Sequence, residues 1–166
     1  MALRAPPIVR HLGRERSHPR EVFLLSIERL SDLPSRLKVP CQRFVMLLAA
    51  DTTGADLDKT VLADSILGAG CVYFCAWGPG CEAMHDVVDG LFLERIDYAP
   101  DKGVLMTTWH DSEPLADAVE FALLSAWPDD YYLDGCGAVV LAVSGNDAWA
   151  SEIEATAMRV IEPNVI

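Results

Sequence analysis

This sequence lacks any apolar run near the ~20 residues that cross a bilayer; its uninterrupted runs, such as Phe44 to Ala50, are of strand length. Arg4, Arg10, Arg14 and Arg16 open the chain, but no apolar stretch with a small-residue cleavage site follows, so no secretory leader is read there. Neither phosphate-cradling fingerprint, GxGxxG or GxxxxGK[ST], occurs. Paired cysteine motifs are also missing. The five cysteines are an odd count, and Cys71, Cys75 and Cys81 crowd together at spacings of four and six, unlike the CxxC pairs of a zinc ribbon. Reduced thiols and a cytoplasmic setting are expected.

Positive charge is scarce after residue 43. Residues 1–43 carry nine Arg and Lys against four Asp and Glu, a net of +5, whereas residues 44–166 carry four against 21, a net of −17. So acidic a body repels phosphate backbones, which disfavours nucleic acid as a partner. The partner is expected to be a small molecule or a protein, with no membrane, and self-association stays open.

What is present is a core. At 166 residues and 51% hydrophobic composition, the chain can bury roughly two-thirds of its unfolded surface. The Pro-, Arg- and His-rich residues 1–20 read as a flexible basic arm, and residues 21–166 as one α/β domain. Strands are expected at Glu21–Glu28, Arg43–Ala50, Cys71–Ala76, Leu91–Arg95, Val104–Thr108 and Gly137–Val143, separated by loops at Ser31–Pro40 and Trp127–Asp134.

Helical spacing of Leu57, Val61, Leu62, Ile66 and Leu67 predicts one helix, stopped by Gly68 and Gly70. Gly78-Pro79 predicts the start of a second, running to about Asp89. A third is expected to be capped by Asp111 or Ser112 with Pro114 in its first turn, and a fourth to be capped by Asn146. Strands alternating with amphipathic helices imply a three-layer α/β/α sandwich with a mostly parallel sheet, flavodoxin-like or Rossmann-like.

Such sheets place ligands beyond the carboxyl ends of the strands, where strand order reverses. Four polar or glycine-rich junctions are predicted to share that edge: Asp51-Thr52-Thr53-Gly54, Trp77-Gly78-Pro79-Gly80-Cys81, Thr107-Thr108-Trp109-His110-Asp111 and Ser144-Gly145-Asn146-Asp147. Each also reads as caps and turns, since Asp, Thr, Ser and Asn begin helices.

Cys81 in the first turn of a helix, with His85 one turn on, fits an activated thiol and its base. It also fits a core cysteine on the stripe of Met84 and Val88, the more common role of a buried thiol. Cys81, His85, His110 and Asp111 together form a candidate zinc set. Asp51, His110 and Asp147 form a candidate metal-dependent hydrolytic set. The sequence names no cofactor.

Two resemblances bear on function. LLAADTTG around Asp51 resembles the start of haloacid-dehalogenase-type phosphohydrolases, in which that aspartate is the nucleophile. Thr53 stands where the second aspartate belongs, however, and no lysine follows at a suitable strand end. More broadly, Phe44 to Trp149, with WGPGCEAMHD at 77–86 and TTWHD at 107–111, resembles a family of small bacterial proteins without established function. No complete catalytic constellation is readable, so the leading expectation is a binding module with its site at the strand ends. Trp77, Trp109, Trp127, Tyr131 and Tyr132 are the candidate anchors. A hydrolase or transferase using Cys81 with His85 or His110 is the alternative.

Overall fold

The computed structural model describes residue 7 and residues 9–96 and 103–163. In chain order the elements are β1 (Val9–Arg14), β2 (Glu21–Ile27), β3 (Arg43–Ala49), α1 (Lys59–Ala69), β4 (Cys71–Trp77), α2 (Cys81–Arg95), β5 (Met106–His110), α3 (Leu115–Leu124), α4 (Asp130–Leu133), β6 (Cys136–Ser144), α5 (Asp147–Val160) and β7 (Glu162–Pro163). A 3-10 turn at Leu30–Asp32 lies between β2 and β3. The strands form one sheet in the order β5-β4-β3-β6-β2-β1-β7. From β5 to β2 every pairing is parallel, and β1 is antiparallel to both its neighbours.

The central strands are apolar along their whole length because both faces of the sheet are covered. Alternation sends Val45, Leu47, Val139 and Leu141 to one face, against Val119, Leu123, Ile153 and Ala157 of α3 and α5. Phe44, Met46, Leu48 and Val140 go to the other, against Leu62, Ile66, Met84 and Val88 of α1 and α2. Complete burial of each such side chain stabilises the fold by roughly 1.5–3 kcal/mol. The result is a three-layer α/β/α sandwich. No helix among the described residues is long and apolar enough to cross a membrane.

Several expectations are corrected. Val9–Arg14 is not an arm but a strand, because its backbone pairs with β2 from Val9↔Leu25 to Arg14↔Glu21 and Leu12 reaches the core. Residues 1–6 and 8 lie outside the described residues. Leu91–Arg95 is the end of α2 rather than a strand: the helix runs through Gly90, because Leu91 and Phe92 continue the stripe of Met84 and Val88 onto the core. β5 lies two residues later than its apolar pattern suggests.

Helix starts also moved. α3 begins after Pro114 with no side-chain cap, because Asp111 and Ser112 (φ 61°) are consumed by the preceding turn. α2 begins at Cys81, after a left-handed Gly80, and α1 is capped by Asp58, whose carboxylate accepts from the Val61 N–H, leaving Val61 itself exposed. A short helix, α4, occupies the expected Trp127–Asp134 loop. Asn146 caps α5 as expected, accepting from the Trp149 N–H at 3.0 Å.

Candidate functional site

From β3 the chain leaves into α1 on one face, and from β6, its immediate neighbour, into α5 on the other. Strand order therefore reverses between β3 and β6, and the crevice beyond their carboxyl ends is the ligand position favoured in open α/β sheets. The loops on each side are clamped in pairs. Beyond β3 and β4 the ladder continues: the Ala50 N–H donates to Trp77 O (3.1 Å) and the Thr52 N–H to Pro79 O (2.9 Å). The Thr52 hydroxyl donates to that same carbonyl at 3.2 Å. Across the gap, the Gly145 N–H donates to Ile27 O at 2.9 Å, tying the β6–α5 loop to the end of β2.

Glycine is required where these loops touch. A Cβ on Gly78, at φ +108°, would lie 2.3 Å from Ala50 O. Asp51 stands exposed at the lip and accepts two hydrogen bonds from Thr53, from its N–H at 2.9 Å and its hydroxyl at 2.5 Å. Those bonds hold its carboxyl below the usual aspartate range, so it is an anion at neutral pH. Asp147 is exposed at the start of α5. Trp77 and Trp149 meet edge to face with centroids 5.0 Å apart, and the Trp77 indole N–H donates to Glu113 O at 2.9 Å. The predicted junctions after β3, β4 and β6 are thus neighbours at one edge.

The fourth junction behaves differently, because Thr107–His110 lies within β5. Alternation then divides it. Thr107 meets α2, where its Oγ1 is 2.8 Å from His85 Nε2, and His85 Nδ1 is 2.9 Å from Asp86 Oδ1, with Trp109 packed on the imidazole at 4.7 Å. Thr108 and His110 turn to the α3 face. There Thr108 Oγ1 is 2.9 Å from His110 Nε2, His110 Nδ1 is 3.2 Å from Glu113 Oε2, and Phe121 stacks at 4.8 Å. Two hydroxyl–imidazole–carboxylate relays therefore lie back to back across one strand, so His85 and His110 do not share a site.

Cys81 belongs to the core cluster with Met84 and Val88, and burial, reinforced by the charge of Asp111, pushes its thiol up. It is a packing residue, not a paired nucleophile. Among the described residues no three His, Cys, Asp or Glu side chains gather into a metal-binding group, so Cys81, His85, His110 and Asp111 do not form a zinc set, nor Asp51, His110 and Asp147 a metal-binding one.

A family model described as "Domain of unknown function (DUF7684)" matches residues 22–159. The chain belongs to that family. The DUF7684 span runs from β2 to α5 and contains all four junctions and both relays, while β1, β7, Glu15 and Arg20 lie outside it. A search of curated proteins finds no match.

Sequence reasoning missed a second feature of this DUF7684 chain, at the opposite edge of the sheet. Arg20 is buried in a two-pronged ion pair with Glu15 (Nε–Oε2 2.5 Å, Nη2–Oε1 2.8 Å) and donates to the carbonyls of Ala126 (3.0 Å) and Leu123 (3.3 Å) at the end of α3. Its guanidinium carbon lies 4.0 Å over the Trp127 ring, on which His18 also packs. Beside this cluster opens a pocket of about 660 Å³. Nothing in the local sequence marks Arg20 as internal. Its partners are more than 100 residues away, except Glu15, which reads as one more charge in a basic segment.

Proposed function

We propose that the protein is a cytoplasmic binding module that takes a small molecule or a peptide-sized partner group in the crevice between β3 and β6. The observation that carries this reading is the reversal of strand order there, flanked by two hydrogen-bonded loop pairs. Thr53, the Trp77–Trp149 pair and the exposed Asp51 supply a hydroxyl, an aromatic edge and a fixed negative charge at its rim. Five unpaired cysteines support a reducing compartment.

The test is a fragment and metabolite screen followed by amide NMR. Ligands that move the resonances of residues 51–54 and 144–147 together bear the reading out. A screen whose hits leave both segments unmoved overturns it.

A second, catalytic reading rests on the relay at β5. With the Nδ1–H of His85 donated to Asp86, Nε2 accepts the Thr107 hydroxyl, as a nucleophile–base–carboxylate arrangement needs. The Thr107 proton would pass to His85 as Oγ1 attacks an ester carbonyl. The leaving alkoxide would take that proton, and water would release the acyl group. Hydrolysis of a p-nitrophenyl ester that survives Thr107→Val unchanged rules this out.

A further inference from the structure

We infer that the pocket at the amino-terminal edge of the sheet binds a small organic ammonium ion. At about 660 Å³ it falls within the range of small-molecule sites, and it lies between the start of β6, α4 and the turn leading into β2. Its wall is apolar and stiff, built from Pro19, Trp127, Pro128 and Leu133, which offers contact area with little side-chain entropy to lose.

Charge decides the class of ligand. Arg20 is the one guanidinium among the pocket's lining residues, and both oxygens of Glu15 neutralise it while the carbonyls of Leu123 in α3 and Ala126 just after it take further donors. It has no bidentate face left for an anion. Asp130 and Asp134, four residues apart, also line the pocket, and both are exposed. Asp129 beside them is committed to the α4 cap, accepting from the Tyr131 N–H at 2.8 Å. The side chains of Asp130 and Asp134 have no hydrogen-bond or ion-pair partner among the described residues. An apolar wall facing two uncommitted carboxylates, in a chain of net charge −12, complements an apolar body carrying one ammonium group. This site is separate from the crevice between β3 and β6, and either can fail without the other.

Three probes of one shape and different charge test the assignment: 2-phenylethylammonium, 2-phenylethanol and 3-phenylpropionate, each titrated at millimolar concentration while indole and amide NMR resonances are followed. The expected result is that the ammonium binds best and shifts Trp127, Leu133 and Gly137. Asp130→Asn with Asp134→Asn should weaken it about tenfold, which is about 1.4 kcal/mol. Added salt should weaken it further, since the carboxylates are exposed. The melting temperature of the double variant should be unchanged, as neither carboxylate holds a structural partner.

Several outcomes overturn the inference. These are no binding of the ammonium, binding of the carboxylate or the alcohol as tight as that of the ammonium, or affinity untouched by the two substitutions. Shifts confined to residues 51–54 and 144–147 also overturn it while supporting the other crevice.

Discussion

Arg20 and Glu15 form an ion pair that is almost wholly buried, 3% and 6% exposed, yet every oxygen and most donors in it are engaged. The pair fastens the β1–β2 turn to the carboxyl end of α3, where Arg20 takes the Leu123 carbonyl that the helix itself leaves open and the Ala126 carbonyl just beyond it. Removing one partner strands a buried charge. Glu15→Ala is therefore expected to cost about 3–5 kcal/mol in urea unfolding. Glu15→Ala combined with Arg20→Met should recover part of that loss, and additive losses would show that the pair is not coupled.

Gly78 and Gly90 are expected to respond to alanine with opposite signs. At Gly78 the new methyl group meets Ala50 O at 2.3 Å in a left-handed conformation, so Gly78→Ala should destabilise by about 2–4 kcal/mol. Gly90 lies within α2 with nothing within 4 Å of its missing Cβ. Gly90→Ala should stabilise by about 0.5–1 kcal/mol. Thermal melts of the two variants check both.

Alkaline pH should unfold the protein through its buried acids. Burial pushes the Cys75 thiol and the Tyr73 phenol each up to about 12, and raises Cys71 further still. The unfolded chain ionises its thiols near pH ~8.5 while the folded chain keeps them protonated. Above that point the unfolded state binds fewer protons than the folded one, so stability falls as pH rises; below it these groups contribute no pH dependence. Each fully buried thiol should cost about 1.4 kcal/mol per pH unit in that window. Under reducing conditions the urea midpoint should decline from about pH 8.5 upward, and Cys75→Ala should flatten the slope. In maleimide labelling of the native protein, the partly exposed Cys41 should react first and Cys81 should lag with the core thiols.

Asp51 offers a local reporter at the proposed crevice. Its carboxyl is held low by the hydroxyl of Thr53 and then by the Thr53 N–H. Thr53→Val deletes the larger of these bonds, so the Asp51 titration followed by carboxyl NMR should move up toward the usual aspartate range. An unmoved titration would show that the hydroxyl does not engage the carboxylate in solution.

Much of the sheet was legible because β3, β4 and β6 are continuous apolar runs of strand length, the appearance of a parallel strand covered on both faces. The Asn146 cap was legible for the same kind of reason, as a local signal with a local cause. The outer strands β1 and β5 were less so. β1 exposes Val9–Arg14 to water on one side and pairs through its backbone, which its charged side chains do not advertise. At β5 the strand was read as ending at Thr108, which left His110 in a loop with no face assigned; only its place inside the strand, three residues from Thr107, sets it opposite His85. Cys81 carried two readings because helix position and apolar spacing coincide there, and only its burial separates them.

The bonds beyond β3 and β4 have a mechanical consequence. With Ala50 and Thr52 laddered to Trp77 and Pro79, and Gly145 held by Ile27, neither side of the crevice is a freely flapping loop. Each is a stiff jaw continuous with two strands of the sheet. Widening the gap to admit a guest means prying apart β3 and β6 at their tips, a motion resisted by the parallel ladder that joins them as far as Ala49↔Val143. The opening between the strand tips is thereby governed by the sheet as well as by the glycine at its rim.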